Sequence, residues 1–416
     1  VPAASVDAAV RRILTMKVEA GLFEHPYVDA SAAQAATDTP QAVALARQAA
    51  REAVVLLKND RSLLPLDPAR VGRLLVVGTH ARDTPIGGYS DTPTHVVSVL
   101  EGLQEEARTS GRFSVAYSEG VRITKSRSWT QDEVELADPA INETLIADAV
   151  AAARNADTIV MVLGGNEQTS REAWADTHLG DTTDLDLPGQ QNELARAILA
   201  LGKPTVVLLL NGRPVSDPWL SANAPALVEG WYLGQETGHA VADVLFGRYD
   251  PGGKLPVSVA RDVGQLPIFY NYKPSARRGY LFDTTKPLYP FGYGLSYTTF
   301  DISAPRLATP TIRPDQPVRL QVDVANTGAR AGDEVVQVYV HQEVASVERP
   351  VIELKAFRRV SLRPGERRTL DFTLDPDALA LWNLQMKRVV EPGAYAILAG
   401  PDSATLKSAA LTVRAP

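Results

Sequence analysis

The sequence predicts two fold classes in one chain, a mainly parallel α/β sandwich domain followed by an all-β sandwich. Three observations predict it. Apolar runs at 54–57, 74–77, 114–117, 158–163, 205–210 and 227–232 are continuous rather than alternating, as in strands buried on both faces. Helix-like stretches at 96–107, 143–154, 190–201 and 238–246 separate most of them, the alternation that builds a parallel sheet. After residue 301 the pattern changes to period two, clearest in VRLQVDV at 318–324 and VQVYV at 336–340.

Taken in order, residues 5–20 read as a helix, with Ser5 as N-cap and Gly21 as stop. Its apolar stripe is Val6, Val10, Ile13 and Leu14. A capped helix followed by a polar linker to residue 38 reads as the last element of a domain lying upstream. The chain opens on Val1 rather than Met, and is expected to be a processed or cut piece of something longer. Thr39-Pro40 opens a second helix, with proline at the tolerated first position. The α/β domain spans 39–250. A Pro/Gly/Tyr-rich stretch at 251–300 reads as a wrapping linker. The β-sandwich spans 301–416, from roughly seven short strands at 8–12-residue spacing. Trp231 and Trp382 are both expected in the core, although Trp231, at a strand end, could also serve as a platform for a sugar ring.

Length and composition bound the function. The chain has 416 residues, enough for about two to three domains. Hydrophobic residues make up 45% and charged residues 22%, which excludes global disorder and a coiled-coil rod. Lys+Arg 42 against Asp+Glu 49 gives a formal net charge of −7, which argues against nucleic acid or an anionic membrane as partner. No apolar run reaches the ~18 residues of a membrane span. The absence of cysteine excludes disulfides, thiol catalysis and Cys-based metal sites. The 6 histidines read as scattered, without a His-x-x-x-His or a Glu-x-x-His pair, so neither metal nor organic cofactor is expected.

In open α/β sheets, ligands bind outside the carboxyl ends of the strands. The carboxyl end of the 158–163 run opens a loop of roughly 25 residues, longer than passive connections usually are. It carries Glu167, Glu172, Asp176, Asp181, Arg171, Trp174 and His178. Two readings stand open on residue types alone: a sugar-facing loop presenting a carboxylic acid, or a solvated loop whose charges pair with one another. Tyr89, in GGYSD at 87–91, sits at another strand end and could line the same cleft, although glycine loops at strand ends are common.

The segments AVVLLKN at 53–59, LNGRP at 210–214, GRYDPGGKLP at 247–256 and PFGYGLSYTTF at 290–300 together make the chain recognisable. It resembles the C-terminal two domains of family 3 glycoside hydrolases, the β-glucosidase and β-xylosidase group. The resemblance implies that the sandwich from Asp301 is fibronectin type III-like and that the 5–20 helix is the end of a (β/α)₈ barrel. It implies a retaining glycosidase with an Asp nucleophile in that barrel and a Glu acid/base from the α/β domain. Glu172 registers onto the acid/base, with Glu167 as the alternative. Glu167, Arg171, Trp174, His178 and Tyr89 are the expected substrate contacts. Two positions depart from the family pattern: Gly165 stands where many relatives carry Glu, and Thr182 where many carry Arg. The expected partners are the barrel and a β-linked oligosaccharide or glycoside. The family is often exported, which implies a periplasmic or extracellular location. A sugar-binding module or an assembly scaffold are the readings of other classes.

Overall fold

The computed structural model describes residues 1–91, 93–126, 128, 131–274 and 279–415. They form two compact units, Val1–Ala46 and Arg47–Pro416. The first unit holds helices α1 (Ala3–Glu19) and α2 (Ala30–Ala36) and the first turns of α3 (Pro40–Ala53). Helix α1 starts two residues before the expected cap, with Pro2 as N-cap and Ser5 already helical. Gly21 ends it in the left-handed region, as expected. None of its residues is buried. Helix α2 lies where the sequence suggested only linker. Helix α3 opens as predicted: Pro40 takes the first position, and Thr39 Oγ1 accepts from Ala42 N at 3.2 Å.

The second unit is built on a six-stranded sheet in the order β1-β6-β5-β4-β2-β3. The strands are β1 (Val55–Asn59), β2 (Arg73–Val77), β3 (Ser114–Ser118), β4 (Thr158–Gly164), β5 (Thr205–Leu210) and β6 (Ala226–Glu229). All neighbours are parallel except β1, which runs antiparallel to β6. Helices α4 (Pro68–Val71), α5 (Val99–Ser110), α6 (Pro139–Arg154), α7 (Glu167–Ser170), α8 (Gln191–Leu199), α9 (Pro218–Asn223) and α10 (Thr237–Leu245) lie between and after the strands. Every residue of β4 and β5 is buried, so continuous apolar runs are what both sheet faces demand. Val160, Val162, Val206 and Leu208 pack with α5 and α10 on one face. Ile159, Met161, Leu163, Val207 and Leu209 pack with α6, α8 and α9 on the other. Each such side chain contributes roughly 1.5–3 kcal/mol on burial.

From residue 247 the chain runs without long elements back over this domain. Leu255, Val259 and Tyr289 enter the second core. Leu295 forms an antiparallel bridge with Leu56 of β1, its N–H donating to the Leu56 carbonyl at 2.8 Å. Asp250 joins three segments: its carboxylate accepts from Ser296 Oγ at 2.8 Å, Tyr297 N at 2.9 Å and Asp333 N at 3.2 Å. Burial pushes that carboxyl up, partly offset by those bonds.

The C-terminal region is a β-sandwich. One sheet runs β13-β10-β7, with β8 also on β10, and the other runs β12-β11-β16-β17-β9. The ranges are β7 (Phe300–Ile302), β8 (Arg306–Leu307), β9 (Thr311–Ile312), β10 (Val318–Asn326), β11 (Gly332–Gln342), β12 (Glu353–Leu362), β13 (Arg367–Leu374), β16 (Gly393–Gly400) and β17 (Lys407–Val413). Alternate residues of β10, Val318, Leu320, Val322 and Val324, fill the space between the sheets. The 379–390 run departs from expectation. It is a short hairpin of β14 (Leu381–Trp382) and β15 (Arg388–Val389), and Trp382 is 61% exposed rather than core. Leu379 takes the buried place instead. Asn383 makes the turn by accepting from Gln385 N and Lys387 N, and Leu381 takes the buried face of β14, which leaves the next residue, Trp382, on the outer face.

Candidate active site

The carboxyl end of β4 is shaped by its last residue. Gly164 has φ +144°, and a Cβ there would lie 1.8 Å from the Leu210 carbonyl oxygen of β5, so only glycine fits. The Gln191 side chain brackets it, accepting from Gly164 N at 2.9 Å and donating to its carbonyl at 2.8 Å. Asn166 then caps the single turn of α7, with Thr169 bonding back to Asn166 N at 3.0 Å. Glu167 sits in that turn, half-buried, and its Oε1 accepts from Ile86 N at 2.8 Å and Gly87 N at 3.1 Å. Glu167 thus ties the loop after β4 to the loop after β2. Tyr89 lies at the tip of the latter loop, fully exposed.

Beyond α7 the chain folds into a small tab. Arg171 is buried, and its guanidinium donates to the carbonyls of Leu179 (2.6 Å), Gln131 (2.5 Å) and Asp132 (2.5 Å). His178 is buried too, with Nδ1 3.1 Å from Asp132 Oδ1. Trp174, 73% exposed, lies against the His178 ring at 4.5 Å. Residues 175 and 178 form a bridge that closes the tab. Gly180 returns so tightly that a Cβ would lie 2.4 Å from the Glu172 carbonyl carbon. Glu172 stands exposed between these fixed points. Arg171 and His178, expected against substrate, are instead turned inward and fasten the tab to residues 131 and 132, Arg171 through their backbone carbonyls and His178 through the Asp132 carboxylate.

Neighbouring strand ends contribute groups the sequence reading passed over. Tyr232, after β6, donates to the Gly165 carbonyl at 3.1 Å and lies 2.9 Å from Ser170 Oγ. Burial pushes its hydroxyl up to about 12. Glu229 ends β6 fully buried, and desolvation pushes its carboxyl up to about 8 despite a 2.8 Å bond from Trp231 N. Trp231 is half-buried against the second core, at φ +56°. A cavity of about 880 Å³ opens beside α7, lined among others by Ser170, Gly180, Asp181, Asp186 and Arg213. Another of about 520 Å³ lies between the ends of β2 and β4, where strand order reverses, lined by His80, Arg82, Arg122, Lys125 and Glu167 among others.

The expectation that no Glu-x-x-His pair is present is corrected at Glu236 and His239, which have that spacing on the turn that opens α10. Glu236 is buried; burial pushes its carboxyl up, but bonds from His239 Nδ1 (2.6 Å) and His95 Nε2 (3.0 Å) hold it below its ordinary value. His239 Nε2 meets Glu105 at 3.1 Å. The two rings and the two carboxylates are hydrogen-bond partners, and among the described residues no group of three or more His, Asp or Glu is placed to hold a metal.

A mainly parallel sheet with carboxylates beyond its strand ends is followed by a β-sandwich, and both parts have counterparts among known proteins. Residues 54–297 match the glycosyl hydrolase family 3 C-terminal domain, and residues 334–403 match a fibronectin type III-like domain. The chain belongs to glycosyl hydrolase family 3, of which it carries the C-terminal portion. It is 39% identical to a β-xylosidase of Formosa agariphila, over 98% of this chain and 55% of that protein. It is also 39% identical to a periplasmic β-glucosidase of Salmonella typhimurium, over 97% of this chain and 55% of that protein. The solved β-glucosidase of Erythrobacter marinus superposes with a TM-score of 0.93 at 45% identity, covering 97% of this chain and 54% of that one. The β-glucosidase of Listeria innocua in complex with glucose gives 0.84 at 32% identity, covering 98% and 54%. The chain spans about half the length of the relatives it matches.

Proposed function

We propose that this chain is the C-terminal part of a retaining, exo-acting β-glycosidase that removes non-reducing terminal sugars, with Glu172 as general acid/base. The observation that carries this reading is the placement of Glu172. It is an exposed carboxylate fixed between the buried Arg171 and the close-packed Gly180, at the carboxyl end of β4. Glucose is the favoured sugar, since the Salmonella relative and both solved structures named above are β-glucosidases. Xylose is the second reading, supported by the Formosa relative.

In this reading Glu172 first donates its proton to the glycosidic oxygen as the bond from that oxygen to the anomeric carbon breaks. A carboxylate on a (β/α)₈ barrel bonds that carbon from the opposite face. Glu172, now ionised, then takes a proton from water, whose oxygen displaces the barrel carboxylate and restores the β configuration. Trp174 and Tyr89 offer exposed aromatic faces to sugar rings. Glu167, Arg171 and His178 support the site through loop shape. The barrel is the partner, and α1 is its last helix. The periplasmic location of the Salmonella relative supports an exported protein.

Adding a separately made barrel fragment should restore hydrolysis of an aryl β-glucoside or β-xyloside. In that assembly Glu172→Gln should slow substrates with poor leaving groups by about 10²–10⁴-fold and activated aryl glycosides far less in the first step. Azide should then give a β-configured glycosyl azide. The reading fails if Glu167→Gln shows this pattern and Glu172→Gln does not. Turnover by the 416-residue chain alone would also sink it.

A further inference from the structure

We propose that Arg213 is a positioning residue for Glu172, gripping the backbone on which that carboxylate is mounted. The inference rests on the acid/base reading above. Arg213 lies in the loop after β5, 41 positions along the chain from Glu172. Its Nε donates to the Ser170 carbonyl at 3.1 Å, and its Nη2 donates to the Arg171 carbonyl. The Arg171 carbonyl belongs to the peptide group that leads directly into Glu172. The plane of that group sets the direction of the Glu172 side chain. Nη2 also lies 3.8 Å from Asp181 Oδ1, on the returning limb of the tab. One guanidinium therefore holds both limbs.

Arg213 is itself held. Its carbonyl accepts from Asn211 Nδ2 at 2.6 Å, and Asn211 is buried with the same Nδ2 3.4 Å from Glu229. Gly212 lets this loop press on the tab: a Cβ there would lie 3.0 Å from the Tyr232 ring and 3.2 Å from Ser170 Cβ. The chemistry suits arginine specifically. A planar fork of donors fixes two consecutive carbonyls at once, while a lysine ammonium supplies a single mobile point. The Arg213 guanidinium is about one-third exposed and makes no other hydrogen bond among those found for the described residues. Its reach is to the Glu172 mount.

The test uses the chain assembled with its barrel and compares Arg213→Gln, Arg213→Lys and Glu172→Gln on an activated dinitrophenyl β-glucoside and an alkyl β-glucoside. A displacement of the acid by about 1 Å costs on the order of 10²-fold. Arg213→Gln should therefore lower kcat for the alkyl glucoside by about 10²-fold with KM nearly unchanged, and lower the activated substrate's first step much less. Arg213→Lys should recover only part. Amide exchange across 170–181 should quicken in Arg213→Gln and not in Glu172→Gln. Equal losses on both leaving groups would mark a purely structural role and overturn the inference, as would unchanged exchange in the tab. If Glu172→Gln shows the leaving-group dependence and Arg213→Gln does not, only this inference falls. If Glu172→Gln lacks it, the acid/base reading falls and takes the inference with it.

Discussion

Two hairpins of this chain each present an exposed tryptophan, and they are built differently. In the 171–181 tab, Trp174 rests on a buried His178, and a buried arginine donates to three carbonyls beneath it. In the 381–389 hairpin, Trp382 is nearly as exposed, but the turn is held by local bonds to Asn383. Arg388 adds two contacts to Asp377, 3.3 Å to its carbonyl and 3.2 Å to its carboxylate, from an exposed side chain. A buried guanidinium and a buried imidazole are costly to keep unless they fix something. The lesson is that an exposed aromatic ring does not mark a site. Buried donors beneath it show that the loop carrying it is fixed in place.

The largest expected effect probes what stands behind the first hairpin. Glu229 has a pKa of about 8 in the folded chain against an ordinary 4.5. Below 4.5 both folded and unfolded states hold the proton. Between 4.5 and 8 the unfolded chain releases it while the folded chain keeps it, so stability falls as pH rises; above 8 the loss is complete. Denaturation at several pH values should show a decline on the order of a few kcal/mol across that window, and Glu229→Gln should flatten it. A wild-type curve with no such slope would show that Glu229 is ionised in the folded chain.

Next comes the pin itself. Arg171→Met leaves the carbonyls of Leu179, Gln131 and Asp132 without their donor, at about 1–3 kcal/mol for each that stays dry. Amide exchange at 171–181 should report the opening. Arg388→Met in the second hairpin should change exchange little. Comparable loosening in both would erase the distinction drawn between them. The smallest effects separate the two rings. Trp174→Ala should lower kcat/KM of the assembled enzyme by about 2- to 10-fold. Trp382→Ala should leave kinetics alone and move stability by no more than ~0.5 kcal/mol.

The sheet was legible because burial on two faces writes itself as unbroken Val, Ile and Leu, and β10 because burial on one face writes itself as alternation. Short elements left no such trace. The one-turn α7 and the two-residue β14 and β15 are too brief for any period to show. The 164–181 loop stood out by length and charge, and Glu172 by its setting in the family pattern. The inward turn of Arg171 was not readable, since its acceptors at 131 and 132 lie some 40 positions away and only the fold brings them close. The grip of Arg213 was hidden for the same reason: LNGRP is visible as a motif, but not what it holds.

The bridge between Leu295 and Leu56 bears on solubility. Strand β1 ends the six-stranded sheet, and an open sheet edge is a template on which another chain can pair. The returning segment occupies that edge: Leu295 donates to Leu56, and the Tyr293 hydroxyl donates to the Leu57 carbonyl at 3.2 Å. The segment between the two domains is thus also a sheath. A protease cut within it that freed residues 293–295 would bare the β1 edge and open it to pairing with another chain.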